Sequence, residues 1–190
     1  MTKAREGALS PLGLETKFVP VAEFGETTEG GIVSGYASLF HQPDQGGDVV
    51  LPGAFNRSLE TLKRAGRRVK FLWQHDPARP IGVWQRVAED AAGLHVTGQI
   101  LNGIAQGVEA LALLRAGAIE GLSIGYRTVR STENRETGGR NLIELDLWEV
   151  SLVTFPMLPA ARASLDPPKA ADDMVLALAE ALTGSGRHRG

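Results

Sequence analysis

Leu142-Ile143-Glu144-Leu145-Asp146-Leu147-Trp148-Glu149-Val150-Ser151-Leu152-Val153-Thr154 reads as one long strand. Leu142, Glu144, Asp146 and Trp148 mark some alternation along it, and Phe155-Pro156 ends it. Before it, residues 122–129 are strand-like, and residues 131–140 form a charged, glycine-containing hairpin loop. Further back, runs 69–73, 81–87 and 94–100 read as strands, as does 32–40. Residues 18–21 make a short strand that Pro20 places at an edge. Phe55, Leu59 and Leu62 recur at helical spacing from Pro52 to Ala65, where Gly66 stops the helix. A second helix covers 104–116, with Ile104, Val108, Leu111 and Leu114/Arg115 on one face and Gly117 as its stop. A third covers 170–182, after Asp166-Pro167-Pro168, and 185–190 is a basic tail. The strands and helices do not alternate in the β-α-β rhythm of a parallel sheet. The expected fold is therefore mainly β with packed helices (α+β), an antiparallel, barrel-like sheet.

The 190 residues suit one domain with tails. Twenty basic and 22 acidic residues leave a net charge of −2, which argues against a nucleic-acid binder that works by neutralising phosphates. There is no cysteine, so disulfides, thiolate metal sites and a cysteine nucleophile are excluded. The N-terminal residues contain no apolar run of signal-peptide length, and no stretch approaches the ~18 apolar residues of a membrane span. A cytoplasmic protein with no membrane partner is expected.

His75 ends the apolar strand Phe71-Leu72-Trp73-Gln74, just ahead of Asp76-Pro77, so a rigid element delivers it to a loop mouth. Ser123 stands in Gly121-Leu122-Ser123-Ile124-Gly125-Tyr126, and the glycines at −2 and +2 would let a substrate backbone approach its hydroxyl. A serine nucleophile needs a base, and the base needs a group that fixes its tautomer. Asp76, Asp48, Asp146 and Glu149 are candidates for that third group. An acid in the apolar run around Glu149 is costly unless it is paired. His95 lies in a strand and is expected to face solvent or an interface. His41, Asp44 and Asp48 match no metal-ligand spacing, and Gly46-Gly47 lacks the lysine of a phosphate loop. No metal and no cofactor are expected.

Several motifs, in order, resemble the prohead (capsid maturation) proteases of tailed phages. They are Gly35-Tyr36-Ala37-Ser38-Leu39-Phe40, Gly47-Asp48-Val49-Val50 with Pro52-Gly53-Ala54-Phe55, Trp73-Gln74-His75-Asp76, Gly93-Leu94-His95-Val96-Thr97-Gly98, Gly121–Tyr126, and Leu147–Val153 with Phe155-Pro156. The resemblance runs over about residues 16–165 and implies a division into an arm (1–15), a protease domain (16–165), and a C-terminal helix with basic tail (166–190). It implies a β-barrel of the herpesvirus-assemblin type, closed or nearly so, with helices around it. It places the family's serine on Ser123 and its histidine on His75. Glu149 stands at the separation from Ser123 where assemblin has its second histidine, which makes it the third member; Asp76, beside His75, stays the alternative. The resemblance further implies a serine endopeptidase that cuts the major capsid protein or scaffold inside the immature capsid, and sometimes itself, and that pairs as a homodimer. Two rival readings are a non-enzymatic capsid assembly factor, docking through Met174, Leu178 and Leu182, and a hydrolase of small esters or lipids.

Overall fold

The computed structural model describes residues 14–20, 31–119 and 121–154. The expected helix 170–182, the basic tail and all but the end of the N-terminal arm lie outside the described residues. Among the described residues, eight strands and two helices follow in the order β1 (Glu15–Pro20), β2 (Ile32–Leu39), β3 (Val49–Val50), α1 (Asn56–Arg64), β4 (Lys70–Trp73), β5 (Asp76–Glu89), β6 (Gly93–Ile100), α2 (Ala105–Arg115), β7 (Gly121–Asn134) and β8 (Gly139–Val153). They form one sheet, β1-β7-β8-β4-β5-β6-β2, with β3 beside β8. The sheet curls until its end strands, β1 and β2, come into contact, giving a mainly β half-barrel.

The sheet is mixed, which corrects the expected antiparallel arrangement. Both β3 and β4 run parallel to β8. The long excursion through β5, β6, α2 and β7 supplies the crossover that a parallel β4–β8 pair requires. Two expected boundaries also move. The hairpin loop 131–140 is mostly strand: β7 and β8 stay paired to Asn134↔Gly139, and only 135–138 turn. There Asn134 Oδ1 accepts from the amides of Glu136 and Thr137, and Gly138 takes φ +72. β5 begins at Asp76 rather than Ile81. Pro77 and Pro80 are tolerated because this first part pairs with β4 through bulges, and β6 joins only from Gly82.

Both helices stop as their glycines foretell. At Gly66 (φ +62) and Gly117 (φ +67) the amides turn back on Lys63 and Leu114, and the next amides, of Arg67 and Ala118, on Leu62 and Leu113. This paired pattern is the Schellman motif. On α1, Phe55 is buried and Leu59 and Leu62 pack against the core, as their spacing implies. On α2 the inward face is Gly107, Ala110, Leu111 and Leu114, whereas Ile104 and Val108 are exposed. The expected face is therefore wrong by part of a turn. A Cβ at Gly107 would overlap the Leu101 carbonyl, so the glycine marks where the backbones press closest.

Phe71 of β4 stacks on Trp84 of β5, with centroids 3.8 Å apart and planes 18° from parallel. The Trp84 indole donates to the Val150 carbonyl of β8 at 3.2 Å, so this pair ties together the three strands beside the site. Phe71→Ala is expected to cost about 3–5 kcal/mol, read as a lower urea midpoint with an unchanged slope.

Candidate active site

β4 ends at Trp73, and the next two residues, Gln74 and His75, both take left-handed backbone conformations (φ 52 and 60). Such angles cost side-chain-bearing residues energy and persist only where neighbours enforce them. Here β8 enforces them. The Gln74 amide donates to the Leu152 carbonyl, its side chain bonds Thr154, and the His75 amide donates to Ser151 Oγ at 3.1 Å.

The imidazole turns onto β8. His75 Nδ1 lies 2.6 Å from Glu149 Oε1, and Ser151 Oγ donates to Glu149 Oε2 at 2.5 Å. Glu149 is 1% exposed and its imidazole partner is partly buried, so the carboxylate has the partners that its apolar setting demands. An ionised carboxylate only accepts, so Nδ1 carries the proton and Nε2 presents its lone pair. Among the described residues, Nε2 meets no hydrogen-bonding group.

Ser123 lies on β7 directly across from Ser151, and Gly125 directly across from Glu149. Residues two apart on a strand share a face, so Ser123, Gly125, Glu149 and Ser151 share one face. The sheet register thus brings Ser123 next to the hydroxyl that holds both His75 and Glu149. The Ser123 hydroxyl itself donates to the Lys17 carbonyl of β1 at 3.2 Å, and the residue is buried.

Gly125 has a different purpose from the one its motif suggests. A Cβ there would overlap Glu149 Oε1, so the glycine makes room for the carboxylate rather than for a substrate backbone. Gly125→Ala is expected to displace Glu149 from His75. The chain should then melt several degrees lower, with Ser123 still in place.

The other acidic candidates are engaged elsewhere. Asp76 accepts from the Ala78 amide and lies 3.4 Å from Arg79 Nε. Asp146 meets Ser58 and the Trp148 indole. Asp48 receives Arg140 through Nε and Nη2. Ser151 is the residue that sequence reasoning missed. Its only signal was a hydroxyl two residues past an acid in an otherwise apolar run. His95 packs edge-on to Tyr36 at 5.1 Å on β6, which β4 and β5 separate from β8 in the sheet. Among the described residues no acidic or histidine cluster suits a metal ion, and no helix is long and apolar enough to cross a membrane.

A family profile described as Caudovirus prohead serine protease matches residues 19–173. The chain belongs to this family. It is 35% identical over 128 residues to the prohead protease of Enterobacteria phage HK97, covering 66% of this chain and 56% of that protein. It is 27% identical over 132 residues to the prohead protease of Escherichia phage T5, covering 69% of this chain and 61% of the other. The matched region thus spans little more than half the length of these relatives. The structure of the bacteriophage T4 capsid assembly protease superimposes with a TM-score of 0.60 at 14% identity, covering 74% of this chain and 98% of that one. That likeness supports the mainly β protease fold.

Proposed function

We propose that the protein is a serine endopeptidase that processes the major capsid protein or scaffold inside the immature capsid. The observation that carries this reading is the His75–Glu149 contact of 2.6 Å, held on the strand face that also bears Ser123. In the reaction, His75 Nε2 takes the Ser123 proton as Oγ attacks the scissile carbonyl. Glu149 fixes the tautomer and supports the imidazolium. His75 then protonates the leaving amine, and water, activated by the same imidazole, releases the acyl-enzyme.

The curled sheet supports an assemblin-type architecture over residues 16–165. By the same analogy the protease pairs as a homodimer, which sedimentation at rising concentration would reveal. One observation favours the rival assembly-factor reading: Ser123 is only 2% exposed and bonded to a neighbouring strand. Co-expression with the capsid protein encoded nearby separates the two. A capsid protein shortened by the native chain, but full-length with Ser123→Ala, is expected. Full-length capsid protein in both, assembled into normal shells, would favour the assembly factor.

A further inference from the structure

β1 is the outermost strand on the Ser123 side of the sheet. It runs antiparallel to β7, with Phe18 opposite Ser123 and Lys17 opposite Ile124. The Ser123 hydroxyl donates to the Lys17 main-chain carbonyl, so its proton is committed to β1. While β1 stays, no second peptide can pair with this part of β7. If β1 leaves, the β7 edge opens and, among the described residues, no other strand pairing breaks.

The fastenings of Glu15 and Lys17 in β1 are polar. Lys17 is 1% exposed, and among the described residues its Nζ meets the Asp48 carbonyl at 2.6 Å and Asp44 Oδ2 at 3.4 Å. Burial holds this amine below the usual lysine range, and Asp44 only partly offsets that. Glu15 accepts from the amide and hydroxyl of Thr128 and from Arg140 Nη2, and Arg140 also grips Asp48. A buried charge held in this way binds less firmly than apolar packing of equal volume. Such a strand suits release.

We propose that β1 is an inhibitory strap that occupies the place of the substrate, with Lys17 as its recognition residue. This rests on Ser123 being the nucleophile. On release of β1, an extended peptide pairs with the uncovered edge of β7. Its scissile carbonyl sits where the Lys17 carbonyl sits now, and a lysine on the acyl side of the cut fills the slot formed by Asp44 and the Asp48 carbonyl. The same strand therefore restrains the enzyme and reports its preference for cutting after lysine.

The test measures how fast a fluorophosphonate probe labels Ser123 in the full chain, comparing native protein with Glu15→Gln and Lys17→Ala. Losing one charge-assisted fastening should raise the rate about tenfold. A synthetic peptide of residues 14–20 should then slow labelling of the variants, while the same peptide carrying Lys17→Glu should not. Should Lys17→Ala fail to fold, Glu15→Gln carries the comparison, because its carboxylate is 29% exposed. Equal labelling of native and variant chains overturns the strap but leaves the nucleophile intact. Equal slowing by both peptides overturns the lysine slot. No labelling of any chain, with capsid processing intact, overturns the nucleophile and the strap together.

Discussion

Ser123→Ala is expected to lower the rate of peptide cleavage by at least about 10⁴-fold, and His75→Ala by a similar factor. The double variant should be no slower than either single one. Nucleophile and base act in one step, so removing the second costs nothing once the first is gone. That non-additivity separates a catalytic pair from two residues that merely shape the fold, whose effects would add. Ser123→Ala removes one hydroxyl donor from the Lys17 carbonyl, a loss of about 1 kcal/mol, so the chain should remain folded. Single-turnover cleavage of a peptide spanning the capsid cut site, with melting curves alongside, supplies both numbers. A Ser123→Ala rate within tenfold of native would remove the acyl-enzyme route.

Much of this geometry was legible in the chain. The apolar run around Glu149 required a partner for its carboxylate, but Asp76, Asp48 and Asp146 were equally open as the partner of His75, and only the family resemblance favoured Glu149. The cross-strand partner of Ser123 was not visible, because register is set between strands and not within them. Only the pairing of β7 with β8 reveals that Gly125 faces Glu149 and that Ser123 faces Ser151. The outer arms of the β7–β8 hairpin were misread as a loop for a related reason. Arg130 and Glu133 extend beyond the core and carry no buried alternation. Their pairing is secured instead by the Asn134 turn and by Arg140 on Asp48. On α2 the apolar periodicity was real, but Gly107 decided which side faces inward. A helix approaches a neighbour most closely where it has no side chain, and hydrophobicity alone does not mark that side.

β1 shows the deepest limit of sequence reading. Its own residues gave an edge strand and little more. That this edge covers Ser123 depends on a neighbour more than 100 positions away. A buried lysine is legible only once its carbonyl and carboxylate partners are in place. The local rules of alternation and turns fixed where strands lie, and long-range pairing fixed what they do.

Glu149→Gln should lower kcat about 10⁴-fold while leaving KM and stability nearly unchanged. The carboxamide has the shape of the carboxylate, so the slot opposite Gly125 still fits it. Its hydrogen bonding differs. An amide nitrogen facing His75 donates to Nδ1, which moves the ring proton to Nε2 and removes the lone pair that must accept from Ser123. An amide oxygen facing His75 keeps the tautomer, but then the nitrogen faces Ser151, whose hydroxyl must turn to accept, and the imidazolium loses its counter-charge in either case. Folding should tolerate the change, since the carboxamide fills the same space and still has hydrogen-bonding groups for His75 and Ser151. Asp76→Asn is the control: its carboxylate serves Ala78 and Arg79, and its rate should stay within about twofold of native, the small effect expected of an exposed ion pair. A reversal, with Asp76→Asn inactive and Glu149→Gln active, would move the orienting role to Asp76 and require His75 to turn away from β8 during the reaction.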